Sequence, residues 1–308
     1  MVLVVTSCTN RKSASPEPAL RAATLPLGAA REVAREWHAR ARAAAARVPA
    51  RQLYQGRGFR EAEKAAREAN ARFAVVSAGF GIVDADTALP PYALTVTGAS
   101  ADNILGRLRG HSTERAWWSD GLRSCGGVRG LDRFTAQEDL ILLAAGRAYL
   151  DMIALEVADL PARHRSRVRI FTAARSDALD PVLRPFVMPY DARLDGPDSG
   201  TAGTLSDFPQ RALRHFVRHV LPEASLADAG GHAQSVGQCL SPWRRSARLR
   251  GASRSDGELV RAMLDNWSAA RGRSSYMLRL LRGPLGLACE QRRFKRLYAE
   301  ACATRSRR

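Results

Sequence analysis

Residues 75–98, VVSAGFGIVDADTALPPYALTVTG, begin as an apolar strand and then turn through small residues into a loop. In an α/β protein, a glycine-punctuated loop at the carboxyl end of a strand is a common ligand site, because backbone without a Cβ atom can approach a substrate closely. Two carboxylates, Asp84 and Asp86, and a Pro91-Tyr92 corner follow the turn. The segment therefore predicts both a strand of a sheet and one wall of a binding site.

The chain has four short apolar runs of this character, at residues 2–6, 73–77, 140–145 and 168–172, and segments with a helical pattern separate them. Near-continuous apolar strands that alternate with helices are typical of a parallel sheet covered on both faces. The predicted helices cover residues 29–47, 57–71, 147–158 and 209–220. We therefore expect an α/β fold, a three-layer sandwich with a mainly parallel sheet, over residues 1–220.

The composition changes after this domain. Residues 221–252 are rich in Gly, Ser, Ala and Pro without a clear period, which predicts a linker or arm. In residues 253–308 a helical pattern resumes, with Ser255 and Glu258 at the spacing of a capping box. This segment carries thirteen basic and five acidic side chains. Short helices with that charge are typical of DNA-binding modules, so we expect a small basic all-α C-terminal module.

The whole chain is strongly basic, with 48 Lys and Arg against 30 Asp and Glu and a formal net charge of +18. A persistent positive field favours a polyanionic partner, so DNA or RNA is the expected partner. The alternatives are an acidic protein partner and a charge that serves solubility alone. In the C-terminal module, the residues expected to contact nucleic acid are Arg273, Arg282, Arg292, Arg293, Lys295 and Arg296.

Several classes of protein are not indicated by the sequence. No apolar run reaches the roughly 18 residues of a membrane span, and the apolar start at residues 2–5 is too short for a signal peptide, so we expect a cytoplasmic protein without a membrane partner. The five scattered cysteines lack CxxC spacing, which argues against a disulfide framework and a structural zinc site. His215 and His219, four residues apart, have no third ligand in view. We expect no metal and no cofactor.

The end of the first strand, Ser7-Cys8-Thr9-Asn10-Arg11-Lys12, combines a thiol with two cations. Neighbouring cations favour the thiolate, which is the nucleophilic form of cysteine. Cys8 and Lys12 are therefore the candidate catalytic residues. The alternative is that Cys8 is a small buried residue of the core and that Arg11 and Lys12 contact phosphate.

Other strand ends supply candidate substrate contacts. At Gly146 and Arg147 a tight turn into a helix leaves backbone amides free for an anion or the edge of a base. Two Pro-Tyr corners, at Tyr92 and Tyr190, provide aromatic rings either for stacking a base or for covering the core. The candidate substrate-binding residues are Ser7, Arg11, Ser77, Gly79, Gly81, Tyr92, Gly146 and Arg147.

Two of these segments are similar to a known catalytic domain. Cys8-Thr9-Asn10-Arg11-Lys12 resembles the Pro-Cys-x-x-x-Lys-Pro-Tyr strand end of the archaeosine synthase catalytic domain. Residues 76–98 resemble the segment of that domain that begins Thr-Ser-Pro-Leu-Gly-Val-Val and runs through a Tyr to Pro-Val-Thr-Gly. Ser7 and Ser13-Ala14 stand where the synthase motif has Pro and Pro-Tyr.

The same region resembles the YaaA peroxide-stress family, whose members lack the cysteine. Leu53-Tyr54-Gln55-Gly56 corresponds to a Leu-Tyr-x-Gly motif of that family, residues 77–82 to its Ser-Gly-Leu-Tyr-Gly-Val loop, and Pro91-Tyr92 to its Pro-Tyr. The likeness covers roughly the first third of the chain. It implies a three-layer α/β fold related to uracil-DNA glycosylases, with a pocket at the carboxyl ends of the strands. Archaeosine synthase attaches lysine to a deazaguanine base of transfer RNA, and YaaA proteins bind DNA and protect it under peroxide stress, so the resemblance implies a pocket that faces nucleic acid.

We therefore expect a nucleic-acid-associated protein with a nucleobase-recognising pocket, which modifies or excises a base. In this hypothesis Cys8 attacks or polarises an electrophilic carbon, Lys12 stabilises negative charge, and Tyr92 stacks on the base. Gly79, Gly81 and Gly146 let backbone amides approach. A first alternative is a non-catalytic DNA-binding stress or phage-defence protein that uses the cleft to hold a strand. A second is an enzyme that acts on a free nucleoside or base.

Overall fold

The apolar runs of the sequence form a five-stranded sheet in the computed structural model, which describes residues 1–126, 128–135, 140–225, 227–245 and 252–306. The strands are β1 Val2–Ser7, β2 Arg72–Ser77, β3 Gly81–Asp84, β4 Leu140–Ala144 and β5 Val168–Phe171. They lie in the order β3-β2-β1-β4-β5, and every neighbouring pair is parallel except β2 and β3. Leu3, Val4 and Val5 of the central strand are fully buried because both faces of the sheet are covered.

Helices form the two outer layers. The longer helices are α1 Ala30–Ala43, α2 Arg57–Glu68, α3 Arg147–Ala158, α4 Phe208–His219, α5 Ala229–Leu240, α6 Asp256–Asp265, α7 Ser274–Arg282 and α8 Gln291–Ser306. Shorter helical turns lie at Pro18–Leu20, Ala22–Thr24, Ala50–Leu53, Ile104–Arg107, Glu114–Ala116, Trp117–Arg123, Asp132–Thr135, Ala162–Arg165, Ser176–Ala178, Arg184–Phe186 and Ala192–Asp195. The pair α2 and α4 packs on one face of the sheet, and α1, α3 and the π-helical turn Trp117–Arg123 cover the other. The predicted three-layer α/β class is confirmed.

The strand order determines where a ligand can bind. From β1 the chain goes to β2 on one side and later returns to β4 on the other side of β1. The topological switch point therefore lies between β1 and β4, and in open α/β sheets the crevice beyond the carboxyl ends of the strands at this point is the usual ligand site.

The chain divides into two compact units, Met1–Ser246 and Ala247–Arg308. The predicted linker at residues 221–252 instead contains α5, which belongs to the first unit. Asp228 caps this helix through the Gly231 amide, and His232, Val236 and Leu240, spaced four apart, are buried in the first core. The sequence obscures this pattern because small residues separate the three buried side chains. Residues 226 and 246–251 of the predicted arm lie outside the described residues.

The second unit is a bundle of α6, α7 and α8, as the predicted all-α module requires, with a two-residue parallel pairing of Ala252–Ser253 and Leu287–Ala288. Its buried side chains include Met263, Met277 and Leu297. The predicted capping box at the start of α6 is confirmed, since the Glu258 amide donates to Ser255 Oγ and the Ser255 amide donates to the Glu258 carboxylate. A similar short pairing in the first unit joins Val48–Pro49 to Ala88–Leu89.

In the described ranges, no helix combines the length and the apolar character that crossing a bilayer requires.

Candidate functional site

Cys8 directly follows β1 at the switch point, and its thiol meets a phenol from the other side of the crevice. Sγ lies 3.1 Å from Tyr149 Oη, and Tyr149 is in the first turn of α3, which begins just after β4. The Ala78 amide donates towards the same sulfur at 3.5 Å. Burial raises the pKa of Tyr149 well above its usual value, with further contributions from Cys8, while a hydrogen bond with Thr95 opposes the shift. Tyr149 is therefore a neutral phenol beside the sulfur at physiological pH, and either group can donate in their contact.

Lys12 brings a cation to the same place. Its ammonium lies 4.0 Å from the centroid of the Tyr92 ring and 5.8 Å from that of Tyr54, and it donates to the Thr9 carbonyl at 3.0 Å. Burial lowers the pKa of Lys12, and attraction to Cys8 and Asp102 partly offsets that effect. A cation over an aromatic face is stabilised by about 1–2 kcal/mol when it is partly desolvated. Lys12 is thus a held, half-buried cation rather than a freely solvated one.

Backbone pairing keeps Lys12 in place. The Gln55 amide donates to the Arg11 carbonyl at 2.8 Å, and the Ser13 amide donates to the Leu53 carbonyl at 2.9 Å. Thr9 Oγ1 adds a bond of 2.7 Å to the Gln55 carbonyl. The loop that follows β1 is therefore fixed to the turn that precedes α2.

A buried chain of hydroxyls supports the Tyr92 ring. Ser77 Oγ and Tyr54 Oη each lie 2.9 Å from Tyr92 Oη. Ser77 Oγ also accepts from the amides of Gly79 and Phe80, so its own proton is available to Tyr92. Burial, together with the nearby Cys8, raises the pKa of both tyrosines. The network is neutral, and it orients the ring beneath Lys12.

A cavity of about 390 Å³ opens beside Lys12 and Tyr92. Small-molecule sites usually have roughly 300–1,000 Å³. Its charged lining consists of Lys12, Arg21 and Asp102, and its uncharged polar lining of Asn10, Ser13, Ser15, Thr95 and Ser100. Arg21 and Asp102 form an ion pair of 3.4 Å at this wall. Cys8 is 6% exposed and lies outside the lining, so a substrate must displace part of the wall to reach its sulfur.

Residues 40–168 match the model of DUF6884, a family of unknown function. No curated protein and no solved structure matches the chain. The matched segment contains Tyr54, Ser77, Tyr92 and Tyr149, which form most of the site described above, whereas Cys8 and Lys12 precede it.

The structure brings four of the predicted residues together: Cys8, Lys12, Ser77 and Tyr92. Ser7 is nearby as the last residue of β1, and Arg11 is exposed on the loop that follows. The predicted stacking of a base on Tyr92 is blocked in this structure, because the ring is 1% exposed and lies beneath Lys12. The other Pro-Tyr corner covers the core, with Tyr190 Oη 2.8 Å from Nδ1 of the buried His215.

The sequence predicts that Gly79 and Gly81 expose backbone to a ligand, and in this structure both positions are closely packed. A Cβ atom on Gly79 would lie 3.0 Å from Cζ2 of the buried Trp37. A Cβ atom on Gly81, where φ is +75°, would lie 1.9 Å from Cγ1 of Val128. Both glycines therefore serve close packing of the hairpin between β2 and β3.

Gly146 and Arg147 lie at the other side of the crevice. Gly146 caps the start of α3 and faces open space, with no atom within 4 Å of a Cβ built there. Arg147 is exposed and pairs with Asp151 at 3.2 Å. Both residues line a second cavity of about 410 Å³ at the ends of β4 and β5.

Asp84 and Asp86 do not belong to the site. Asp84 pairs with Arg72 and Asp86 with Arg51, and Arg72 begins β2, so these ion pairs lie at the opposite end of the sheet from Cys8. They are structural contacts.

Sequence reasoning missed Tyr149, Tyr54, Thr95, Arg21 and Asp102 as site residues. A signal for Tyr149 was present, since a side chain in the first turn of a helix points back towards the strand end that precedes it. Arg21 and Asp102 lie in irregular segments, where no periodic pattern indicates which residues meet.

The predicted nucleic-acid contacts of the second unit fall into two groups. Arg293 and Arg296 pair with Asp256, and Arg282 donates twice to the Cys289 carbonyl. These three arginines stabilise the unit itself. The exposed members without an ion pair in the described part of the chain are Arg273, Arg292 and Lys295.

Proposed function

We propose that this protein associates with nucleic acid and acts on a nucleobase bound at the switch point, with Cys8 as the reacting group. The observation that carries the proposal is the 3.1 Å contact between Cys8 Sγ and Tyr149 Oη. A held cation, Lys12, lies beside this pair on the wall of a polar cavity. The resemblance of the Cys8–Lys12 segment to a base-modifying enzyme supports the same assignment.

These groups can support addition of the thiol to an electrophilic ring carbon. The sulfur forms a bond to the carbon of a C=N unit, the π electrons move onto the nitrogen, and the thiol proton ends on that nitrogen. Tyr149 can donate a hydrogen bond to the sulfur after the thiol proton leaves and before the bond to carbon forms, the interval in which the sulfur holds negative charge. Lys12 stabilises the negative charge on the base. Lys12 is also the wall residue that can move aside, because its long stem is flexible.

The charge of the chain supports a nucleic acid as the carrier of the base. Residues 247–308 hold fifteen basic and five acidic side chains, and residues 1–246 hold thirty-three and twenty-five. The excess of basic over acidic side chains is therefore much higher per residue in the smaller unit. An enzyme for a free base would gain nothing from such a charge, whereas a polyanion is attracted by it.

The test is mass spectrometry of nucleosides from DNA and RNA of cells that express the wild-type chain, Cys8→Ala, or no protein. We expect a nucleoside whose amount depends on the wild-type chain and reverts to the no-protein level with Cys8→Ala. Affinity of the purified variant for oligonucleotides should change less than about twofold, since the buried thiol contributes no charge to binding. Cys125→Ala, at a half-buried cysteine outside the site, is the matched control. A wild-type nucleoside profile with Cys8→Ala removes the catalytic role.

The low exposure of Cys8 favours one other candidate, a non-catalytic protein that holds a strand in the same cleft. In that case no nucleoside depends on the protein. Affinity for nucleic acid still falls linearly on a log-log plot against salt, because counterions are released on binding. Cys8→Ala then changes neither measurement.

A further inference from the structure

One face of α7 presents an aromatic ring to solvent. Tyr276 is 39% exposed, and it is the one aromatic residue among the exposed large apolar side chains of the described ranges. On the opposite side of the same helix, Met277 and Leu281 are fully buried in the core of the second unit. The helix is therefore anchored with Tyr276 directed outwards.

Two arginines accompany this ring. The guanidinium carbons of Arg273 and Arg279 lie 5.8 Å and 5.2 Å from the centroid of the Tyr276 ring. Arg273 is the N-cap residue that directly precedes α7, and Tyr276 and Arg279, three residues apart in the helix, lie on one side of it. We call these three residues the α7 face. The sequence of α7, SSYMLRLLR, contains no acidic residue. In the described part of the chain neither arginine has an ion pair, unlike Arg293 and Arg296.

The other aromatic side chains of this unit are already engaged. Trp267 and Tyr298 stack on each other with ring centroids 5.3 Å apart and an interplanar angle of 11°. Arg305 lies 5.2 Å from the Trp267 ring, and Tyr298 Oη donates to the Gly272 carbonyl. Tyr276 differs because its ring lies near exposed guanidinium groups, which a ligand can reach.

We propose that the α7 face binds single-stranded nucleic acid, with an unpaired base stacked on Tyr276 and the neighbouring phosphates paired with Arg273 and Arg279. An exposed ring flanked by cations offers the two contacts that single strands use, base stacking and phosphate neutralisation. A duplex keeps its base faces covered, and an acidic peptide offers carboxylates without a planar face. This inference rests on the proposed association with nucleic acid and names the form of nucleic acid that the protein prefers.

The test uses the full chain and fluorescence anisotropy with a labelled oligothymidine strand and with its duplex. Tyr276→Ala should weaken single-strand binding about tenfold, because one stacked base is lost, while Tyr276→Phe keeps wild-type affinity. Arg279→Ala should reduce the slope of log affinity against log salt by about 0.7, the value for one phosphate of a single strand. Arg254→Ala is the matched control, since it removes the same charge from the same unit but from a residue paired with Glu258. It should change the slope less.

The possible outcomes separate this inference from the proposed function. Unchanged single-strand affinity of a folded Tyr276→Ala chain overturns the inference, as does an equal loss for the duplex. If polyglutamate displaces the labelled strand as effectively, per charge, as unlabelled oligothymidine does, the α7 face binds an acidic protein partner. That result also overturns the inference. If the Cys8-dependent nucleoside persists in either case, the proposed function stands. If the wild-type chain binds no oligonucleotide, both the inference about the α7 face and the proposed function are overturned.

Discussion

At the scale of single residues, the proposed reaction depends on whether Cys8 or Tyr149, the buried pair at the switch point, holds a proton. Burial keeps Tyr149 protonated by raising its pKa, so under the proposed mechanism its hydroxyl is the group that can donate to the Cys8 sulfur when the thiol loses its proton. A hydrogen bond to a charged group contributes about 1.5–3 kcal/mol, more than one between neutral groups. The phenol therefore affects the reactivity of the thiol more than it affects the stability of the fold.

Tyr149→Phe tests this role without disturbing the packing of the ring. We expect alkylation of Cys8 by iodoacetamide at neutral pH to become about tenfold slower, since a hydrogen bond to the thiolate is lost. The rate is measured by mass spectrometry of the peptide that contains Cys8. Tyr54→Phe is the control, because the Tyr54 hydroxyl contacts Tyr92 and not the sulfur. An unchanged or faster rate with Tyr149→Phe contradicts the role.

Gly79 makes a different residue-scale prediction, about packing. Gly79→Ala places a methyl group 3.0 Å from the fully buried Trp37 ring, whose Nε1 donates to the Gly79 carbonyl at 2.7 Å. We expect a loss of about 1–3 kcal/mol in the free energy of unfolding, measured with urea, because overpacked cores shift their side chains. Gly237→Ala, in open space inside α5, should instead add about 0.5–1 kcal/mol through helix propensity. Equal changes in the free energy of unfolding for the two substitutions would show that the close contact with Trp37 does not destabilise Gly79→Ala.

At the scale of elements, the sequence predicts the continuous apolar strands and misses the strand that follows a tight turn. The parallel strands are continuous apolar runs, so β1 and β2 were predicted to within one residue at each end. Gly81–Asp84 was interpreted as part of a loop, but it forms β3, because the positive φ of Gly81 turns the chain straight back along β2. The adjacency of β1 and β2 also explains why Cys8, Lys12, Ser77 and Tyr92 were predicted to form one site.

The position of Tyr149 in the first turn of α3 places it near the end of β4, but it does not by itself give the contact with Cys8. Its contact with Cys8 requires that β4 pairs with β1 on the side away from β2. No local pattern encodes this order, since it results from packing the crossover segments against the sheet. The close packing around Gly79 and Gly81 could not be predicted for a similar reason, because their neighbours Trp37 and Val128 are distant in the chain.

The ion cluster between α2 and α4 gives an element-scale prediction. Burial alone would raise the pKa of Glu68, but hydrogen bonds from Arg218 and Arg214 lower it to about 2. Between pH 4.5, the ordinary pKa of a glutamate, and about 2, Glu68 is therefore ionised in the folded state and protonated in the unfolded state. The stabilisation that Glu68 gives the folded state is complete above pH 4.5 and is lost as the pH falls towards 2.

Glu68→Gln should therefore lower the free energy of unfolding at neutral pH by about 1 kcal/mol, a value reduced by solvent screening at this surface. The difference from the wild type should shrink between pH 4.5 and 2. Urea unfolding at several pH values measures both effects. Glu17→Gln is the control, because Glu17 is exposed and has no ion pair in the described part of the chain. A difference that stays constant across this range would show that Glu68 does not link the helices through its charge.

At the scale of the whole molecule, the site and the higher density of positive charge are on different units. The candidate site belongs to the unit Met1–Ser246, whereas the unit Ala247–Arg308 has the higher density of positive charge and its own core. The proposed function therefore assigns the reaction to the first unit and most of the affinity for nucleic acid to the second. The two contributions can then be separated by cutting the chain.

A chain that ends at Ser246 should keep the folded α/β unit and lose most of its affinity for oligonucleotides. It loses fifteen basic side chains against five acidic ones, so the slope of log affinity against log salt should also become smaller, since fewer counterions are released. Anisotropy titrations at several salt concentrations measure both quantities, and the alkylation rate of Cys8, which should equal that of the full chain, reports on the site. Retained affinity and an unchanged slope would place the nucleic-acid contacts on the α/β unit. The exposed arginines near the crevice, Arg11 and Arg147 first, would then be the residues to substitute, because they flank the carboxyl ends of β1 and β4.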